Sequence, residues 1–227
     1  IGAFNPDNKK RVMLCAHWDS RPYADYDADK KNHKKPIDGA NDGASGVGVL
    51  LEIARQIQKE APSIGIDIIF FDAEDYGTPA WHRGSYKPHD WCLGSQYWGR
   101  TPHVAGYFAR YGILLDMVGG KGGTFYYEPY SYRTARKEVK KIWNKAHELG
   151  FGSFFVKQEG AEVTDDHVYV NQLARIPCVD IINFDPVYEN SSFGPTWHTV
   201  NDNISNIDRN TLKAVGQTVM DVIYNEK

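Results

Sequence analysis

The feature that most constrains this chain is a repeated junction, in which a short apolar run stops abruptly at an acid or a histidine. Arg11 to Ala16 (RVMLCA) runs into His17, Trp18 and Asp19, and Ile66 to Phe71 (IDIIFF) runs into Asp72, Glu74 and Asp75. Ile113 to Leu115 runs into Asp116, and Pro177 to Ile182 (PCVDII) is another strand run, though it ends at Asn183 rather than at an acid. Short continuous apolar runs of this length read as strands buried on both faces. Between them lie stretches of helical period. Gly46 to Lys59 repeats Val47, Leu50, Leu51, Ala54 and Ile57 at spacings of three and four, with Asp42 or Ser45 placed to cap its start. Tyr132 to Leu149 carries Val139, Ile142, Trp143 and Ala146 on one face, and Thr211 to Tyr224 carries Leu212, Val215, Val219, Val222 and Ile223, with Asp208 or Asn210 as cap. Strands alternating with helices predict an α/β fold: a mostly parallel central sheet with helices on both faces.

In open sheets of that kind ligands bind beyond the carboxyl ends of the strands. The pattern therefore places a site, because His17, Glu74, Asp75 and Asp116 follow the ends of three different strand runs. No Pro/Gly-rich or Ser-rich stretch divides the 227 residues, so a single domain spanning 1–227 is expected. A net charge of only −3, from 26 Lys+Arg against 29 Asp+Glu, comes with no basic stripe interleaved with aromatics, which argues against nucleic acid as a partner. No apolar run approaches the roughly 20 residues needed to span a bilayer. Ile1 to Lys10 lacks a signal-peptide pattern and leads almost directly into a strand, so an upstream segment is expected. Cys15, Cys92 and Cys178 are odd in number and show no C-x-x-C spacing, which suggests neither a disulfide framework nor a cysteine metal site. Asp25 to Lys35 (DYDADKKNHKK) reads as a solvated loop.

Four stretches concentrate the residues that can bind a metal: His17-Trp18-Asp19, the segment from Asn41 to Gly46 (NDGASG), the segment from Asp72 to Asp75 (DAED), and the segment from Trp197 to Asn203 (WHTVNDN). Singly each is weak. In this order, and each of the first three set against a strand or helix end, they are hard to obtain by chance. The set resembles the zinc exopeptidase family, which contains aminopeptidases with two zinc ions and animal-type glutaminyl cyclases with one. The similarity runs from about Arg11 to the C-terminal helix. The resemblance implies a zinc-hydrolase fold in which Asp42, Asp75 and His198 hold the family's common zinc and Glu74 is the general base. It also implies that His17 and Asp116 stand where two-zinc members hold their second ion. Three protein ligands leave the fourth place of a zinc tetrahedron open for chemistry, as a catalytic site requires. At the position of Asp75 the family commonly has Glu, so a side chain shorter by one methylene must reach the metal.

Within the family, several residues favour the cyclases. Trp197 directly precedes His198, Phe193 lies four residues before Trp197, Val163 to His167 (VTDDH) resembles the cyclases' acid-acid-His segment, and Trp81 or Trp91 stands near their pocket tryptophan. The resemblance pairs Asp165 with Asp116 in an acidic network that includes Glu74, in which carboxyls this close share at least one proton. Together these residues imply a zinc-dependent glutaminyl-peptide cyclotransferase with one zinc ion, acting on peptide or protein N-termini. The alternative is a two-zinc aminopeptidase, and beside both stands a metal-free relative, against which the complete set of acids and histidines argues. By resemblance alone, such an enzyme is secreted or periplasmic.

Overall fold

The computed structural model describes residues 1–227 apart from Ser85, Tyr86, Pro88, Glu189 and Asn190. Its main sheet has five strands: β1 (Gly2–Phe4), β2 (Arg11–His17), β3 (Gly65–Phe71), β4 (Gly112–Asp116) and β7 (Cys178–Ile182), in the order β1-β3-β2-β4-β7. Every pairing is parallel except that of the edge strand β1 with β3. The mostly parallel sheet expected from the apolar runs is therefore present. A separate parallel pair, β5 (Phe125–Tyr127) and β6 (Phe155–Glu159), lies outside that expectation; β6 buries little beyond Phe155 and turns polar after Val156.

Alternation along β2 shows why both faces must be covered. Val12, Leu14 and Ala16 point into a core shared with α1 (Ala44–Lys59), α4 (Arg136–Glu148) and α6 (Arg209–Tyr224), while Met13 and Cys15 point into a second core with α2 (Leu93–Arg100) and α5 (Asp166–Ala174). Cys15 and Cys178 lie fully buried in that second core as free thiols. Among the described residues no helix is long and apolar enough to cross a membrane.

Three local expectations are corrected. The helix expected over 132–149 is two, α3 (Pro129–Thr134) and α4, broken at Ala135, whose φ of −133° is not helical. Each half answers a different demand: Ser131 Oγ accepts the Asp180 N–H from β7, whereas Val139, Ile142, Trp143 and Ala146 of α4 pack into the first core. Helix α1 begins at Ala44 without a side-chain cap, because Asp42 is turned elsewhere and Ser45 Oγ donates to Asn41 O. Its buried face uses Val49 and Ile53, while Leu51 is exposed. Finally, the segment expected to be a solvated loop folds Asp25 and Asp27 inward. Helix α6 keeps both its expected inner face and its cap, Asp208, which accepts the Asn210 N–H.

Strand order also locates the site. The chain leaves β2 toward β3 on one side and returns to β4 on the other, so the crevice between the carboxyl ends of β2 and β4 is the point where such a sheet opens for a ligand. His17 ends β2 and Asp116 ends β4. Two glycines let the next turn close over that crevice. Gly43 sits at φ +92°, where a Cβ would lie 2.6 Å from Asp19 O and 3.0 Å from the His17 ring. At Gly46 a Cβ would lie 2.2 Å from Leu115 O, so any side chain there would push α1 off the sheet.

Candidate active site

Two buried or half-buried carboxylates hold the turns that bear the acids. Asp19 accepts the Glu74 and Asp75 N–H groups, one on each oxygen at 3.1 Å, and Asp202 accepts those of Asn41 and Asp42 at 2.8 and 3.0 Å. Paired N–H bonds to one carboxylate fix a turn more firmly than neutral acceptors would. Ala73, Met117 and His198, all beside or within the set of site residues, have φ near +50°, a region side chains seldom adopt unless their surroundings impose it.

These turns bring the sequence-predicted acids and histidines together. Asp42, Asp75 and His198 present ligand atoms all within 4.8 Å of one another: His198 Nε2 is 3.0 Å from Asp75 Oδ1 and 3.5 Å from Asp42 Oδ2. His17, Asp42 and Asp116 form a second such group, with His17 Nε2 3.1 Å from one oxygen of each acid. Glu74, Cys92 and Asp165 form a third. Asp165 caps α5, its Oδ1 accepting the Asp166 N–H, and among the described residues the hydrogen-bonding partner of Asp116 is His17 rather than Asp165. The direct pairing expected between these two acids is thus an electrostatic coupling: α5 claims one oxygen of Asp165, and β2 brings His17 to Asp116.

The electrostatics of the first group ask for a cation. Burial and the neighbouring Asp75 push Asp42 up to about 7, while burial and Asp116 push Asp165 up to about 7. Burial together with Asp165 and Asp75 raises Glu74 well above the usual carboxylate range. Against burial, Asp75 and Asp25 raise His198 to about 9, and, again against burial, hydrogen bonds to Asp116, Asp19 and Asp42 raise His17. Among the described residues, Asp42 Oδ2 and Asp75 Oδ2 are buried without a hydrogen-bond partner. Two carboxylates with free oxygens facing one imidazole, open to a cavity on the remaining side, fit a catalytic zinc. The shorter Asp75 reaches the group with its backbone N–H held by Asp19.

The cavity, of about 460 Å³, is lined by Asp42, Glu74, Asp75, Asp116, Asp165 and His198 on its polar side and by Trp91, Phe193, Trp197 and Tyr26 on its aromatic side. His17 is fully buried and does not line it. The Trp197 ring stacks on His198 at 3.9 Å, Phe193 lies 4.9 Å from Trp197, and Trp91 lies parallel to His198 at 6.0 Å. Of the two candidate tryptophans, then, Trp91 takes the pocket position. Trp81 is 37% exposed and packs on Tyr23 and His33 outside the cavity.

Sequence reasoning missed several members. Asp25, placed in the charged loop, reaches His198 Nδ1 at 3.4 Å while bound to Arg21, and both partners hold its carboxyl well below the usual range against the effect of burial. Arg21 is fully buried, donates to Asp75 O and Gly77 O, and lies 4.5 Å over the Trp91 ring. The available signal was its DSRPYAD context, an arginine four residues before an acid. Cys92 had no signal: it looks like any small buried residue.

Comparison with known proteins adds the family. The description "Peptidase family M28" matches residues 1–223. The chain is 62% identical to the glutaminyl cyclase of Tannerella forsythia, covering 100% of this chain and 77% of that structure at a TM-score of 0.97. It is 58% identical to a Zn-dependent exopeptidase from Parabacteroides distasonis, covering 99% and 76%, also at 0.97. Among curated proteins it is 28% identical to the glutaminyl-peptide cyclotransferase of Bos taurus over 93% of its own length, and it spans 61% of that relative.

Proposed function

The chain belongs to peptidase family M28, and we propose that it acts as a zinc-dependent glutaminyl-peptide cyclotransferase, converting an N-terminal glutamine to pyroglutamate with release of ammonia. The observation that carries this reading is the aromatic wall. Trp91, Trp197 and Phe193 close a small cavity directly over the proposed ligand His198, leaving a space suited to a folded-back glutamine side chain. The likeness to the Tannerella cyclase at 62% identity supports it.

Asp42, Asp75 and His198 would hold one zinc ion, with Asp25 orienting the His198 ring through Nδ1. A zinc bound there supplies a Lewis acid beside the side-chain carbonyl of the substrate. The residues of the chain do the rest. The aromatic wall holds the glutamine curled so that its α-amine faces its own side-chain carbon, and orientation within one residue supplies much of the acceleration. As the amine nitrogen bonds to that carbon, Glu74 accepts the amine proton and returns it to the departing amide nitrogen, which leaves as ammonia while the lactam closes. Asp116 and Asp165, lining the same cavity as Glu74, are placed to accept hydrogen bonds from the leaving nitrogen. No attacking water is required. We propose one ion rather than two because His17 is sealed away from the cavity and already shared between Asp42 and Asp116.

Mass spectrometry on a glutaminyl peptide tests the reading together with a metal count. The expected product is the same peptide lighter by one ammonia, with no free amino acid, from protein holding one zinc per chain. A free N-terminal residue, efficient hydrolysis of a leucyl chromogenic amide and two zinc ions per chain would establish the aminopeptidase instead.

A further inference from the structure

Cys92 stands at the N-cap of α2, where a Ser, Asp or Asn would ordinarily turn back to cap the helix, yet among the described residues it makes no side-chain cap bond. Its Sγ lies 2.9 Å from Glu74 Oε1 instead. The backbone is committed to the same contact: Cys92 N–H donates to Glu74 O at 2.9 Å, and the next two N–H groups, of Leu93 and Gly94, donate to Ala73 O and Asp72 O. Cys92 itself takes φ +56°, and Ser95 Oγ holds its carbonyl at 3.1 Å. A buried residue kept in a left-handed conformation, with its side chain withdrawn from capping and aimed at a carboxylate, is placed for that carboxylate.

We propose that Cys92 is a positioning residue for Glu74: its S–H donates to Oε1, sets the rotation of the carboxylate, and leaves Oε2 as the oxygen that exchanges protons with substrate. The proposal rests on the reading of Glu74 as the general base. The thiol is a donor and not a thiolate, since burial and the adjacent Glu74 push its pKa well up. It is fully buried and does not line the cavity, so it touches Glu74 and not the substrate.

The test compares wild type, Cys92→Ala and Cys92→Ser for cyclisation of a glutaminyl peptide, with zinc content and thermal midpoint measured alongside. Loss of the donor frees the carboxylate to rotate, so Cys92→Ala is expected to lower kcat by about tenfold with KM held within about twofold. Cys92→Ser keeps a donor at that place and is expected to restore most of kcat. Full kcat in the alanine variant, or equal losses in both, would overturn the proposal. A second readout is independent of catalysis: the infrared S–H stretch of the wild-type protein that disappears in Cys92→Ser. A band lying below the free-thiol position and shifting in Glu74→Gln is expected, whereas a band at the free-thiol position refutes the contact. Should wild type cyclise no glutaminyl peptide, the reading of the enzyme fails, and this band still decides whether Cys92 engages Glu74.

Discussion

Replacing Glu74 with Gln separates proton transfer from every other role of the site. The amide keeps the shape of the carboxylate, Asp19 still holds the backbone N–H of residue 74, and Oε1 can still accept from Cys92. The proposed zinc ligands Asp42, Asp75 and His198 are untouched, so one zinc per chain should remain. What is lost is the group proposed to take a proton from the amine and return it to the leaving nitrogen. General acid-base catalysis contributes roughly 10²- to 10⁴-fold, or about 3 to 5 kcal/mol of barrier, so kcat on a glutaminyl peptide should fall by at least about two orders of magnitude. Stability should not fall with it. Glu74 is buried beside Asp75 and Asp165, and deleting its charge relieves repulsion that, with burial, raises its pKa in the wild type. Steady-state kinetics, zinc analysis and thermal melting of the same preparation check all three statements. Turnover within a few-fold of wild type, at full zinc occupancy, would refute the assignment of Glu74 as base and with it the proposed proton path.

His198→Ala removes the imidazole between Asp42 and Asp75, so zinc analysis should find the metal lost and melting should show lower stability, because two buried carboxylates lose their cation; stoichiometric zinc would exclude His198 as a ligand. Asp19→Ala strips the acceptor from two backbone N–H groups, and chemical denaturation should report a loss of about 2 kcal/mol together with a drop in kcat. Glu128, despite its burial, is held down to about 2 by His167 and by the N–H groups of Ser131 and Tyr130. A carboxyl depressed in the folded state contributes stability that is full above its unfolded value of 4.5 and is lost as pH falls toward about 2, so Glu128→Gln should flatten the wild type's decline in stability across that window. An unchanged slope in acid denaturation would show that this contact is not what is titrating. Trp91→Ala should raise KM for glutaminyl peptides by more than it lowers kcat, since it removes cavity wall and leaves the acids in place.

The strand-end positions of His17, Glu74, Asp75 and Asp116 were legible in the sequence from the apolar runs that precede them, whereas the proposed ligand roles of Asp42, Asp75 and His198 came from the resemblance to the zinc exopeptidases. His17 ends β2, Glu74 and Asp75 follow β3, Asp116 ends β4, and Asp42 precedes α1. A parallel sheet lines up its carboxyl ends, so the strand runs alone were enough to bring His17, Glu74, Asp75 and Asp116 to one edge. Helix α6 and its Asp208 cap were legible for the same local reason. The supports of the site were not. Asp25 lies in a segment rich in lysine and aspartate, and only tertiary burial, with Arg21 fully enclosed as its partner, distinguishes it from a solvated acid. Trp81 and Trp91 are equivalent in a one-dimensional reading, and the choice between them falls to the path of the chain, which stacks one ring beside His198 and leaves the other against Tyr23. Cys92 acquires its contact with Glu74 from eighteen residues away, through a left-handed turn that no propensity favours. Periodicity records which face of an element is buried. The identity of a side chain's partner across the fold is set by loop geometry, and loops carry no period from which it could be read.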